Sequence, residues 1–244
     1  MITLIGTGHV FDLSSQLLTL LEKKEPGIIC IELDKQRYNS LLIRHTHQKT
    51  HRDFEKKLPL IYKLLAKFQE NIAKEYGVNA GDEMLTAIKY AQTHQIPLKL
   101  IDMNAQHLFT KMWHHMPLSE KIRLLLTGVT GIFISRERIE KELKHLQENF
   151  DKYIEEINKK FPTIKKTLID ERNKYMTDQL IYLNKDYNNI VACIGDGHIP
   201  GISKMLKSKK IEFEAIRLNE LRKIREETDT THAHFTMEYK NNTS

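Results

Sequence analysis

Two histidines occupy the same local setting near opposite ends of the sequence. His9 closes Gly6-Thr7-Gly8-His9 and His198 closes Gly195-Asp196-Gly197-His198. Each unit follows a short apolar run, Ile2-Thr3-Leu4-Ile5 in one case and Ile190-Val191-Ala192-Cys193-Ile194 in the other. Two further apolar runs end in carboxylates: Gly27-Ile28-Ile29-Cys30-Ile31 leads to Glu32, and Pro97-Leu98-Lys99-Leu100-Ile101 leads to Asp102. Two imidazoles and a carboxylate can hold a divalent ion and leave a position for water, which is the arrangement of hydrolytic metal sites. Such donors admit zinc, manganese, cobalt or iron, and the set alone does not choose among them. Glu83 falls in the first turn of an expected helix, where the macrodipole favours an ionised carboxylate, and it is an alternative general base.

Residues this far apart in sequence meet only if the elements before them are neighbouring parallel strands, whose carboxyl-end loops face one crevice. The pattern supports that arrangement. Asp12 or a following serine is expected to cap a helix running to about Lys24, and Pro26-Gly27 stops it. The next apolar run completes a strand-helix-strand unit, whose strands handedness rules make parallel. Residues 35 to about 76 read as helical with a break near Pro59. The loop Gly77-Val78-Asn79-Ala80 then opens a helix to His94, and the third strand follows. From Ser119 to about Leu183 the pattern is helical, interrupted near Thr127 to Ile132 and at Pro162. Leu143, Leu146, Phe150, Tyr153, Ile154 and Ile157 form an apolar stripe there, either core or the seam of a homodimer. After the second Gly-x-x-His unit, Pro200-Gly201 opens a short helix, residues 211–216 form a last strand, and the tail from about 226 is polar. The expected class is therefore α/β, a mostly parallel sheet flanked by helices with a large helical insertion between the third and fourth strands. A single domain spans residues 1–225.

Composition narrows the partners. The 38 basic and 32 acidic residues give a net charge of +6 but are intermixed, without the basic stripe interleaved with aromatics that nucleic-acid binding requires. The longest apolar stretch, Leu124 to Ile134, is too short to span a bilayer. Cys30 and Cys193 sit inside expected buried strands and read as small core residues, fitting a reducing compartment. The first strand begins at Ile2, which leaves no room for a signal peptide, so a cytoplasmic protein is expected.

Other chemistries fit less well. Gly6-Thr7-Gly8 with Glu32 resembles half of a dinucleotide fingerprint, but Phe11 occupies the third glycine position and an imidazole fills the phosphate turn. No serine stands at a Gly-x-Ser-x-Gly elbow. His45, His47 and His51 lie among Arg44, Lys49 and Arg52 without a carboxylate or cysteine, the pattern of a solvated basic face. Adjacent His114 and His115 point in different directions on a helix.

The order of motifs resembles the TraB family, the group that includes the enterococcal pheromone-shutdown proteins and GumN and is related to the Tiki proteases. The matching pieces are Gly6-Thr7-Gly8-His9-Val10, residues 31–38 (Ile31-Glu32-Leu33-Asp34-Lys35-Gln36-Arg37-Tyr38), Gly81-Asp82-Glu83-Met84, and Leu100-Ile101-Asp102. They continue with Asp170-Glu171-Arg172-Asn173-Lys174-Tyr175-Met176 and Gly195-Asp196-Gly197-His198-Ile199-Pro200-Gly201, covering residues 1 to about 217. The resemblance implies a fold of the erythromycin-esterase and ChaN-like type. By analogy with Tiki it also implies a metal-dependent protease in which His9, His198 and Glu32 serve the ion. Three departures stand out: Asp102 is followed by Met103-Asn104 where the family usually has Arg-Asp, Asn173 replaces an aspartate, and the carboxyl-terminal membrane helices of many members have no counterpart among these residues, so membrane attachment is not expected from the resemblance.

The sequence thus leads to the expectation of a metal-dependent peptidase or related hydrolase using Mn, Co or Zn. His9 and His198 bind the ion, and Glu32 completes its shell or orients the attacking water. Arg37, Tyr38 and Arg172 are candidates to hold a substrate carboxylate or steady an oxyanion. Alternatively, Arg37 and Arg172 pair with Asp34 and Glu171, and Tyr38 is core. Two other outcomes are a catalytically silent protein that sequesters a peptide in the same crevice, and a metal-free esterase-like hydrolase with His9 as base. The partner in each case is a peptide or small molecule.

Overall fold

The computed structural model describes residues 1–8, 13–46, 81–131 and 150–224. The chain divides into two units, Met1–Asp102 with Thr177–Ser244, and Met103–Met176.

The first unit is built on five parallel strands: β1 (Ile2–Thr7), β2 (Ile28–Ile31), β3 (Leu98–Leu100), β4 (Ile190–Gly195) and β5 (Phe213–Ile216). Their order is β3-β2-β4-β1-β5. Every residue of β1 and β2 is buried, and β4 is buried up to Ile194, which is why these segments are continuous apolar runs instead of alternating ones. At the edge, β3 alternates, with Lys99 exposed between two half-buried leucines. Expected and observed strands agree to within a few residues.

Chain order and spatial order differ in a way that decides where a site forms. Leaving β1, the chain passes over the place later filled by β4 and pairs β2 with β3. Leaving β4, it moves the opposite way, past β1, to β5. Right-handed crossovers therefore put the helices after β1 and β2 on one face and the helix after β4 on the other. The packing agrees. Helix α1 (Ser14–Lys24) packs on α3 (Asp82–Thr93), and Leu17, Leu21, Met84 and Ile88 join Ile5, Ile29, Ile31, Val191 and Cys193 in one core cluster. Burying each large side chain in that cluster is worth about 1.5–3 kcal/mol before entropy. Helix α2 (Lys35–Thr46) follows β2. Helix α9 (Ile199–Ser208) packs on β1 and β5, burying Ile199, Ile202 and Leu206. On either side of β4 the outgoing connections leave in the direction opposite to its own, the arrangement in which parallel sheets place a crevice at a strand's carboxyl end.

Two local expectations are corrected. The residue before α1 is Leu13, with no side-chain cap, because Ser14 instead accepts a hydrogen bond from Thr86 and Ser15 donates to Gln16. Asp12 lies outside the described residues. Helix α5 runs from Leu118 through Thr127 to Gly131, so the interruption expected near Thr127 to Ile132 does not begin at Thr127, and Ile132 lies outside the described residues. A glycine in a helix interior costs only about 1 kcal/mol, and Gly128 alone does not outweigh a sustained helical turn.

The second unit is helical: α4 (Ala105–His115), α5, α6 (Phe150–Lys160), α7 (Pro162–Lys165), a π-helical turn at Lys166–Asp170, and the start of α8 (Glu171–Leu183). Asn104 caps α4 through the His107 N–H at 2.8 Å. The buried Glu120 carboxylate accepts Thr163 N–H and Oγ1–H at 3.2 and 2.9 Å, tying α5 to α7 where Pro162 restarts the helix. His115 Nδ1 lies 2.8 Å from the Lys111 carbonyl of its own helix, and the His114 ring stands edge-on to it. Ile154 and Ile157 are half-buried, while Leu143, Leu146, His47 and His51 lie outside the described residues. Among the described residues, no helix is long and apolar enough to cross a membrane.

Candidate active site at the carboxyl end of the sheet

Register brings the chemistry-bearing residues to one level. Gly6 pairs with Ile194 and Thr7 with Gly195, while Ile31 pairs with Cys193 on one side and Leu100 on the other. Glu32 therefore leaves β2 beside the last turn of β4, and the Glu32 N–H donates to the Cys193 carbonyl at 3.1 Å, extending the ladder by one bond. Beyond Gly195 a 3₁₀ turn, Asp196–His198, leads into α9 and carries the His198 imidazole inward.

The result is a buried carboxylate and imidazole facing each other. Glu32 Oε2 accepts the Gly195 backbone N–H at 2.6 Å, while Oε1 lies 3.5 Å from His198 Nε2. Both residues are over nine-tenths buried. Metal bonds to such donors are about 2.0–2.2 Å long. With one nitrogen and one oxygen donor 3.5 Å apart, the pair has the chemistry of two of the ligands that a divalent ion would take. His9, the third expected donor, lies outside the described residues. Among the described residues no group of three or more His, Cys, Asp or Glu side chains is gathered to hold an ion.

The leading glycines of the two units make room for side chains from elsewhere in the sheet. Among the described glycines only Gly81 has a positive φ, so Gly6, Gly195 and Gly197 do not rely on a left-handed backbone. A Cβ on Gly195 would lie 3.2 Å from Glu32 Oε2, and a Cβ on Gly6 would lie 2.3 Å from Asp196 Oδ1. Each leading glycine is a socket for a carboxylate from another strand end.

Asp196 itself was invisible to spacing arguments. Its Oδ1 accepts Arg217 Nε–H and the Leu218 N–H, both at 2.8 Å, and its Oδ2 accepts Arg217 Nη2–H at 2.7 Å. The available signal was an aspartate inside the motif and an arginine directly after the last strand.

The remaining candidates separate. Arg37 donates to Asp102 Oδ2 at 2.9 Å, and the Asp102 carboxylate is almost wholly buried while Arg37 is about one-third exposed. Asp34 accepts the Gln36 and Arg37 backbone N–H groups at 2.7 and 3.0 Å, so it caps α2, and its tie to Arg37 runs through the main chain. Asp102 thus has a cationic partner although Met103-Asn104 stand where the family has Arg-Asp. Tyr38 packs against the core cluster. Glu83 is 1 % exposed in the first turn of α3. It adds to the potential at Cys193, whose thiol is pushed up first by burial, then by Cys30 and Glu83. Arg172 belongs to the second unit, where its guanidinium donates to the Leu168 carbonyl at 3.4 Å.

The profile of the TraB/PrgY/gumN family matches residues 1–215. An uncharacterized protein of Methanocaldococcus jannaschii is 31% identical over 214 residues, covering 84% of this chain and 53% of that protein. The chain thus spans about half the length of the curated relative it matches. With the family profile matched over residues 1–215 of the chain, the protein belongs to the TraB/PrgY/gumN family.

Proposed function

We propose that this chain is a metal-dependent hydrolase, a Tiki-like peptidase, with the reacting group seated at the carboxyl end of β4. The observation that carries the reading is the Glu32–His198 pair: a buried carboxylate fixed through one oxygen by a backbone N–H and turning the other toward an imidazole 3.5 Å away. In this reading His198, His9 and Glu32 hold a divalent ion of the Mn, Co or Zn type. Such an ion supplies Lewis acidity toward a carbonyl and lowers the pKa of water.

The chain's own residues do the rest. The Gly195 N–H fixes the Glu32 rotamer, so Oε1 needs no reorganisation to serve as ligand or to orient water. Burial keeps competing solvent from the imidazole. Glu83, at the amino end of α3 near Cys193, is the alternative proton acceptor. Arg37, steadied by Asp102, keeps part of its guanidinium toward solvent and is suited to a substrate carboxylate. Tyr38 and Arg172 are weaker candidates, given their core and helix-carbonyl partners. Two buried free thiols support a reducing, cytoplasmic setting.

The test is hydrolysis of unstructured peptides with Mn²⁺, Co²⁺ or Zn²⁺. Cleavage that stops with chelator and falls at least ~100-fold in Glu32→Gln and His198→Ala is expected. Turnover that survives chelator but is lost in His9→Ala would replace this reading with a metal-free hydrolase. Saturable peptide binding without cleavage would replace it with a sequestering protein.

A further inference from the structure

The Asp of the second Gly-x-x-His unit has the chemistry of a ligand or a base, yet its surroundings assign it another task. Three N–H donors converge on its carboxylate, two of them from a single guanidinium in the fork geometry that fixes orientation as well as distance. Arg217 directly follows β5, the strand beyond β1, so the bond reaches from the end of β4 across β1 to the end of β5. Beneath it lies Gly6, whose missing side chain leaves the space that Asp196 Oδ1 occupies. The two Gly-x-x-His units are therefore interlocked, the first glycine of one seating the aspartate of the other.

His198 is two residues further along the same 3₁₀ turn. Its imidazole has Glu32 on one side, but the turn that carries it is anchored on the other side by Asp196. We infer that the Asp196–Arg217 clamp is a positioning device that sets the His198 imidazole against Glu32, and that Asp196 is neither a metal ligand nor a proton carrier. The inference deepens the metal-site reading and rests on it for its binding consequence, but the placement of the ring can be observed without any ion.

Arg217→Gln in the full chain removes the fork while leaving the half-exposed position polar, and Arg217→Lys restores the charge without the fork. Glu214→Gln is the control, because it removes the ion pair to Lys24 on the same strand and leaves the clamp intact. Two readouts are used: the ¹H–¹³C ring resonances of His198, assigned by comparison with His198→Ala, and Co²⁺ affinity by calorimetry. In Arg217→Gln the His198 ring signal moves to the position of a disordered histidine, and Co²⁺ binding weakens about 10–100-fold, the range for outer-shell partners of metal ligands. Arg217→Lys recovers part of both, and Glu214→Gln matches wild type in both, with cooperative unfolding retained throughout. An unchanged His198 ring signal in Arg217→Gln overturns the clamp. If wild type binds no Co²⁺, the metal reading falls while the ring signal still decides the clamp. A drop in Arg217→Gln matched by an equal drop in Glu214→Gln would show only general loosening of β5 and would also overturn it.

Discussion

Glu32 and Asp196 are carboxylates at the same end of the same sheet, each lodged over a glycine and each bonded to a backbone N–H, and they have been given opposite tasks. Asp196 receives three N–H donors and its charge is consumed in joining β4 to β5. Glu32 receives one short backbone bond on Oε2 and directs Oε1 at an imidazole. The first arrangement stabilises the fold. The second holds a carboxyl group in a buried place with one oxygen turned to an imidazole, the arrangement of a site in place of a brace. The carboxylate chemistry and the strand-end position do not distinguish the two; the partners that the strand order brings to each do.

The sharpest way to break the contrast is to fill the sockets. Gly6→Ala puts a Cβ 2.3 Å from Asp196 Oδ1 and 3.3 Å from Asp196 Cα, part of it backbone that cannot swing away. We expect a loss of about 2–3 kcal/mol or more in urea denaturation, together with the ring disorder of a broken clamp. Asp196→Asn should come next, at about 1–2 kcal/mol, from loss of a charge-assisted fork that is partly exposed. Gly195→Ala meets Glu32 Oε2 at 3.2 Å, a contact that a few tenths of an ångström relieve. Its expected stability loss is only about 1 kcal/mol, but ion binding should fall out of proportion because the carboxylate is displaced. If Gly6→Ala and Gly195→Ala instead lowered stability and binding in the same ratio, the division of labour would be wrong.

The smallest expected effect concerns the strands beneath both carboxylates. Burial pushes the Cys30 thiol from the ordinary 9.0 up to about 12, against a smaller lowering by Lys99, and pushes Cys193 further up. The folded state thus keeps protons that the unfolded chain loses above pH 9, so this contribution is complete below pH 9 and is lost as pH rises through 9 toward 12. Between pH 8 and 9.5 each thiol should cost roughly 1 kcal/mol. Comparing denaturation of wild type with Cys30→Ala at the two pH values checks it, since the variant should lose less over that interval.

How much of this was legible depends on the physical signal. The strands could be read because parallel strands covered on both faces must be apolar throughout, as Ile28-Ile29-Cys30-Ile31 and Ile190 to Ile194 are. Their order could not, because such strands look alike, and nothing in the sequence says that β4 inserts between β1 and β2. That insertion is what brings Glu32 and His198 together, so their meeting was expected from the motifs while the strand order that achieves it was not. The Asp196–Arg217 bond spans 21 residues and a whole helix, beyond any local pattern. Pairing with Asp34, close in sequence, was the alternative to a substrate-binding role for Arg37. Its side chain instead reaches Asp102, 65 residues away on the loop after β3. The cap before α1 failed for a similar reason, since Ser14 bonds across to Thr86 on the helix packed against it.

The central claim is that Glu32 and His198 jointly hold an ion. Elemental analysis of protein purified with Mn²⁺, Co²⁺ or Zn²⁺ and then desalted tests it most directly, on wild type beside Glu32→Gln and the His9→Ala, His198→Ala double variant. About one equivalent in wild type and little in either variant is the predicted result. Equal metal in all three, or none in wild type, would contradict the claim.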